Sequence, residues 1–381
     1  MSPIQEDTLF NKPNTCLKIT PDRELVVDRA PIPQILPHQV MVHIKATGVC
    51  GSDIHLWKDG GIGNLKITED LIIGHETAGE IVGIGSDVVQ GFEIGDRVAI
   101  EPQTPCGKCF LCTGGHLNLC NDVDFLGMPG MPGRAASIPG SMQRFLVLDP
   151  MWVHKIPDNM SFEEGALVEV FSVAYHGIER AGNLELGKPC FIAGMGPIGL
   201  ATLVLADAAG AYPIVVSDVS QDRLDFAKEL IPSIKTYQIQ TDKDVKENAN
   251  NIRSIFGNDE YEMPSAVLEC TGVHSSINTC CYVVRRKGAL TILGVSGKNE
   301  IDNFPFMTIS FGEVDVKFVN RYRDSWPPVI NLIASGKVDV KKFVTHKFSL
   351  EQANKALETV RNPKIPSIKV MVSDALDSSN L

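Results

Sequence analysis

The 381-residue sequence has no apolar run long enough to span a bilayer. Its most apolar stretch, Cys190 to Ala209, is interrupted by Gly and Pro and therefore reads as a strand, a turn and a helix. Positive charge is scarce. With 35 Lys and Arg against 46 Asp and Glu, the formal net charge is −11, and this surface would repel nucleic-acid phosphate or an anionic membrane. The N-terminal residues do not combine a basic start, an apolar middle and a small-residue cleavage site, so secretion is not expected. The last three residues, Ser379-Asn380-Leu381, are a distant variant of a peroxisomal tail, and Asn380 lacks its central positive charge. A cytoplasmic protein with reduced thiols is the expectation. There is no internal repeat and no low-complexity tract.

What is present fits a two-domain globular protein, 44% hydrophobic and 21% charged. From about Thr15 to Pro157 the chain is rich in Val, Ile and Gly, with short runs such as Val40–Ala46 and Glu80–Gly85 between turn residues, which predicts a β-rich domain. Ser161 followed three residues later by Glu164 predicts a capping box opening a helix over Glu163–Ala181. Strand and helix signals then alternate: Cys190–Ala193, Ile198–Ala209, Ile214–Ser217, Arg223–Leu230, Ala266–Glu269, Ser275–Arg285 and Ala289–Leu293. That alternation predicts an α/β fold with a doubly wound parallel sheet. Further elements are expected at Val314–Val319, Pro327–Ser335 and Leu350–Val360, and a surface loop at Met128–Gly140.

Gly194-Met195-Gly196-Pro197-Ile198-Gly199 lies between a predicted strand and a predicted helix, and Asp218 ends the next strand. This is the context in which G-x-G-x-x-G binds a dinucleotide: a tight turn, close approach of pyrophosphate to backbone, and close helix–strand packing. Free N–H groups at the helix start face the phosphates. Asp218 suits the ribose hydroxyls and repels a 2′-phosphate, which favours NAD over NADP, and Arg223 is placed to lie against the adenine.

Ten cysteines raise the question of disulfides, but four of them, Cys106, Cys109, Cys112 and Cys120, have the spacing C-x2-C-x2-C-x7-C. Thiolates so spaced can close round one tetrahedral zinc with no open position, a structural site. Coincidental free cysteines or an iron–sulfur cluster are the alternatives, although nothing else here resembles an electron-transfer protein. Cys50 and His75 supply the sulfur and nitrogen that a catalytic zinc favours, and Glu76 or Glu169 could add a carboxylate.

Gly74-His75-Glu76 with Gly79, Gly85 and Val88, then Gly95-Asp96-Arg97-Val98, the four cysteines and the dinucleotide loop follow one another in an order that resembles the zinc-containing medium-chain alcohol dehydrogenases. The resemblance runs from about Cys16 to Val372. It implies a GroES-like catalytic domain over residues 1–166 with the structural zinc lobe, a Rossmann domain over 167–308, and a return to the catalytic domain over 309–381, with a catalytic zinc in the cleft. Within the family, Cys50-Gly51-Ser52-Asp53-Ile54-His55, Gly165 to Glu169, Glu269 to Gly272, Arg321-Tyr322, Ser325-Trp326-Pro327 and Phe343 to His346 look most like the polyol branch. Ala206 to Ile231 and Gly297 to Ile301 resemble fungal L-arabinitol 4-dehydrogenases.

That likeness implies a cofactor set of NAD and two zinc ions per chain, a polyol oxidised at a secondary hydroxyl, and a homotetramer. It implies that Glu76 binds the catalytic zinc and that Glu169 acts through a water. Ser52 would pass the hydroxyl proton outward and His55 would relay it, a solvated surface histidine being the plain alternative. Leu293, Val295, Val319 and Arg321 are expected along the cofactor; Arg321, Tyr322, Glu169, Leu56 and Phe125 are expected at the substrate. Three positions depart from the pattern: Leu56 replaces an aromatic residue, Met128 a threonine, and Val170 a proline. Together with the insertion near Met131 to Ser141, they predict a drier, differently shaped pocket. Competing readings are a xylitol or sorbitol dehydrogenase, a sibling acting on another diol or an amino alcohol, and a catalytically silent NAD-binding protein.

Overall fold

The structure is a computed structural model that describes residues 9–130, 138–182, 184–297 and 299–374. Most of the expected insertion, the C-terminal tripeptide and Lys298 lie outside the described residues. Contacts divide the chain into two units, residues 1–169 with 340–381, and residues 170–339.

The first unit is built on strands β1 (Asn14–Ile19), β2 (Leu25–Ala30) and β3 (Val40–Gly48), followed by helix α1 (Gly51–Asp59). Next come β4 (Leu71–Ile72), β5 (Glu76–Ile84), β6 (Arg97–Ile100), β7 (Gln103–Thr104), β8 (Asp124–Phe125), β9 (Phe145–Leu148) and β10 (Val153–Lys155). Helix α2 (Phe162–Ala181) begins with the predicted capping box: Glu164 N–H donates to Ser161 Oγ at 3.1 Å, and Ser161 N–H to the Glu164 carboxylate at 2.6 Å. The boundary between units falls inside this helix.

The second unit contains β11 (Cys190–Ala193), α3 (Pro197–Ala208), β12 (Ile214–Asp218), α4 (Gln221–Leu230), β13 (Lys235–Gln238) and α5 (Val245–Phe256). It continues with β14 (Ala266–Glu269), α6 (His274–Val283), β15 (Ala289–Ile292), α7 (Phe306–Phe311), β16 (Asp315–Phe318) and α8 (Trp326–Ala334). These strands form one six-stranded sheet in the order β13-β12-β11-β14-β15-β16, every pairing parallel. The order reverses between β11 and β14, and in such sheets ligands bind beyond the strand ends at the reversal. The central strands are buried throughout, as a sheet covered on both faces requires.

The chain returns to the first unit with β17 (Val344–Ser349), α9 (Ala353–Arg361) and β18 (Lys369–Ser373). The large sheet of that unit runs β10-β6-β5-β3-β18-β17, with β9 also paired to β3. The return falls after Asp339, whereas the sequence reading put it at 309. The reason is β16, which extends the parallel sheet by pairing with β15 and so keeps residues beyond 309 in the second unit.

Candidate active site and metal centres

Three strands of the first unit converge on one point. Gly48 at the end of β3 pairs with Glu76 at the start of β5, and Met371 of β18 pairs with Gly48 from the other side. Cys50 follows β3 directly and His75 precedes β5, so both reach the same spot. Ligand atoms of Cys50, His75 and Glu76 lie within 4.8 Å of one another. His75 and Glu76 are buried, at 3% and 1% exposure.

Asp53 organises this group from the first turn of α1. One carboxylate oxygen accepts the Cys50 N–H at 2.9 Å, and the other lies 3.8 Å from His75 Nδ1. Both Asp53 Oδ1 and His75 Nδ1 are buried without a hydrogen-bond partner among the described residues. Ser52 Oγ is 3.4 Å from His75 Nε2, and the Phe125 ring stands edge-on to His75 with centroids 5.3 Å apart. His55 is exposed on the outer face of α1, where Nδ1 meets Asp59 at 2.9 Å. Burial, then the Glu76 charge, pushes the Cys50 thiol well above its ordinary value, while Lys369 pulls it down. A thiolate is therefore disfavoured in the protein alone, and a dication among these donors would reverse that. The donor set of sulfur, nitrogen and carboxylate suits zinc. Glu169, 7% exposed, stands outside the 4.8 Å group, yet its charge acts on both Cys50 and Lys369.

Cys106, Cys109, Cys112 and Cys120 form the second group of donors within 4.8 Å. Sulfur separations are 3.5 Å for Cys109–Cys112 and 3.9 Å for Cys109–Cys120, and all four thiols are free. Four sulfurs at ~2.3 Å from one ion in a tetrahedron would lie about 3.8 Å apart, so the lobe fits zinc. Amide N–H groups support the sulfurs: Cys106 N and Asp122 N donate to Cys120 Sγ at 3.4 and 3.3 Å. The amides of Lys108 and Cys109 draw the Cys106 thiol down to about 7.

In the second unit, Gly194, with φ +91°, closes the turn after β11, and Gly196, Pro197 and Ile198 open α3 half-exposed. Gly199 packs so tightly that a Cβ would overlap the Gly194 carbonyl oxygen, whereas a Cβ at Gly196 would meet nothing within 4 Å among the described residues. The open side is where a pyrophosphate would approach backbone. Asp218 ends β12; its carboxylate accepts Met195 N–H at 2.7 Å and Ser220 N–H at 2.9 Å, with Arg223 at 3.7 Å. On the other side of the strand-order reversal, buried Glu269 accepts Gly272 N–H at 2.9 Å, Thr271 N–H at 3.0 Å and Ser276 Oγ at 2.8 Å, which holds the loop after β14. Val295 is exposed, Val319 half-buried, and Leu293 buried against Gly177.

Two expected substrate residues are not presented to solvent. Leu56 is fully buried in the core of Leu17, Ile19, Leu71, Leu357 and Val370, because it faces inward from α1. Tyr322 is also fully buried, edge-on to Trp326 at 5.8 Å, beside Arg321, whose φ is +55°. Met128 packs against the same core as Leu56, and Val170 is buried. Sequence reasoning missed Asp53 and Lys369. Asp53 was open to detection as the third residue of α1 after Cys50, but nothing in the sequence ties Lys369 to Glu76 across 293 residues.

Residues 36–158 match the alcohol dehydrogenase GroES-like domain and residues 197–335 the zinc-binding dehydrogenase domain. An L-arabinitol 4-dehydrogenase of Aspergillus niger is 43% identical over 346 residues, covering 90% of this chain and 86% of that protein. A sorbitol dehydrogenase of Mus musculus is 36% identical over 360 residues, covering 94% of this chain and 95% of that protein. Among solved structures, an oxidoreductase/dehydrogenase of unknown specificity from Escherichia coli superposes with a TM-score of 0.84 at 31% identity, covering 96% of this chain and 100% of that one. With its GroES-like and Rossmann folds, the chain belongs to the zinc-containing medium-chain alcohol dehydrogenases, oxidoreductases acting on CH–OH donors, in the branch that holds the L-arabinitol and sorbitol dehydrogenases.

Proposed function

We propose that the protein is an NAD-dependent polyol dehydrogenase that oxidises a secondary hydroxyl to a ketone, with L-arabinitol oxidised at C4 as the leading substrate. The observation that carries this reading is the convergence of Cys50, His75 and Glu76, one soft and two harder donors within 4.8 Å. These three would hold a catalytic zinc, and the four-cysteine lobe a structural one, two per chain. Bound there, zinc supplies Lewis acidity that lowers the pKa of the substrate hydroxyl, and NAD supplies the hydride acceptor.

The remaining work falls to side chains. Asp53, with one carboxylate oxygen 3.8 Å from His75 Nδ1, places a negative charge behind the histidine. Ser52, 3.4 Å from His75 Nε2, is placed to take the hydroxyl proton, and His55 with Asp59 to release it to solvent. Phe125 walls the site beside His75. Asp218 has one carboxylate on two backbone N–H groups and retains acceptor capacity for ribose hydroxyls, while its charge opposes a 2′-phosphate. Glu169 is assigned to the polyol, whereas Tyr322, fully buried against Trp326, is not.

Self-association, which a homotetramer requires, is supported by exposed apolar residues of the second unit: Phe306, Met307 and Phe311 on α7, and Phe318 on β16, the edge strand. No helix among the described residues is long and apolar enough to cross a membrane, and the net charge disfavours nucleic acid. A panel of C4 to C6 polyols with NAD tests the substrate. L-arabinitol should have the highest kcat/KM; a preference identical to that of sorbitol dehydrogenase would favour the second reading, oxidation of sorbitol or xylitol at C2.

A further inference from the structure

Lys369, the first residue of β18, is 2% exposed and lies against the candidate metal group. Its Nζ donates to Glu76 Oε1 at 2.7 Å, to Glu76 Oε2 at 2.6 Å and to the Val49 carbonyl at 3.2 Å. An ammonium has three N–H groups, so all of them are committed inside the protein. The strand register enforces the contact: Val49 N–H donates to the Val370 carbonyl at 2.9 Å while Met371 pairs with Gly48. Gly48 also makes the room, since a Cβ there would overlap Glu76 Oε2.

A buried ion pair is a poor source of stability compared with apolar packing of the same volume, so its position beside a ligand set points to another role. Charge counting supplies one. A thiolate from Cys50, a carboxylate from Glu76 and neutral His75 would just balance a dication. Lys369 adds one positive charge, held where water cannot screen it. That charge weakens the hold on a metal ion and strengthens the field acting on a hydroxyl beside it.

Resting on the zinc reading above, we propose that Lys369 is a positioning residue: it clamps both oxygens of Glu76 and sets the net charge of the metal group, lowering zinc affinity while favouring ionisation of the substrate hydroxyl. Wild type, Lys369→Gln and Lys369→Arg, each as the full chain, test it through zinc per chain, the rate of zinc loss to excess chelator, and the pH profile of kcat/KM. Gln keeps hydrogen-bonding capacity and removes the charge. Lys369→Gln should lose its second zinc roughly tenfold more slowly than wild type. Its acid limb should move up by about one pH unit. Lys369→Arg, which keeps the charge, should match wild type in zinc retention, and this comparison still decides if the Gln variant does not fold. Faster zinc loss from the Gln variant, an unchanged rate with an unshifted limb, or zinc loss from the Arg variant overturns the proposal. A wild-type chain that holds only one zinc overturns the underlying reading itself, a separately recognisable failure.

Discussion

At the scale of single residues, the most consequential assignments concern charge placed next to a ligand. Asp218 sits at the end of β12 with its carboxylate anchored by Met195 and Ser220 N–H groups, and that anchoring leaves its charge in a fixed place. Asp218→Ser should raise the NADP-to-NAD ratio of kcat/KM by roughly tenfold or more, the equivalent of about 1.4 kcal/mol; an unchanged ratio would remove Asp218 from cofactor choice. Cys50→Ser should reduce kcat by roughly a thousandfold or more while NADH binding and the melting temperature stay near wild type. Full turnover in that variant would refute the catalytic zinc. Cys50, His75, Glu76 and Asp218 were legible in the sequence because each lies within a short local pattern. Lys369 was not, since its meaning depends on β18 pairing with β3. Leu56 was misjudged for a related reason: its position in sequence next to His55 says nothing about which face of α1 it occupies, and that face is the core.

Elements of secondary structure divide along similar lines. Strands β11 and β14 match their sequence-predicted bounds, Cys190–Ala193 and Ala266–Glu269, because short apolar runs between turn residues leave little choice. Strand β13 and helix α5 were not anticipated. The strand is Lys-Thr-Tyr-Gln at the sheet edge, half-polar and without an apolar run, and α5 carries Asn248, Asn250 and Asn251, which favour other conformations. Tertiary contact rescues them: α5 buries Ala249, Ile252 and Phe256, and the buried Asn248 side chain accepts from Gln240 N–H at 3.0 Å and from the Tyr237 hydroxyl at 2.9 Å. The turn into α3 offers a direct test of packing. Gly199→Ala should cost about 1–3 kcal/mol of stability and weaken NADH binding, because its methyl group has no room beside the Gly194 carbonyl. Titration with NADH and a denaturation curve check both. In the four-cysteine lobe, Cys112→Ser should remove one zinc per chain and lower the melting temperature by roughly 5 °C or more, without abolishing the chemistry of the remaining site.

For the molecule as a whole, the sequence conveyed two folds and their order, while the exact point of return to the first unit emerged only from the pairing of β16. A buried clasp fastens the two ends of the first unit. Asp374, 2% exposed at its side chain, meets Arg144 Nε at 2.6 Å and His43 Nε2 at 2.9 Å, while Arg144 also donates to the Pro13 carbonyl. Burial pushes the Asp374 carboxyl up, but the hydrogen bonds from His43 and Arg144 outweigh it and hold the group at about 2, below its ordinary 3.8. A lowered carboxyl pKa stabilises the fold above the ordinary value, and the benefit disappears as the pH falls through the lowered one. Asp374→Asn should therefore cost about 2 kcal/mol at neutral pH, with the difference from wild type shrinking between about pH 4 and pH 2. Denaturation curves across that range check it.

Hydride transfer from a polyol at a zinc site is the central activity proposed for this chain. The most direct measurement is the rate of NADH appearance when purified chain, shown to contain two zinc ions, is given NAD and L-arabinitol. Steady NADH formation that disappears in Cys50→Ser is the predicted result. No NADH from the two-zinc protein with L-arabinitol or any other polyol of the panel would contradict it.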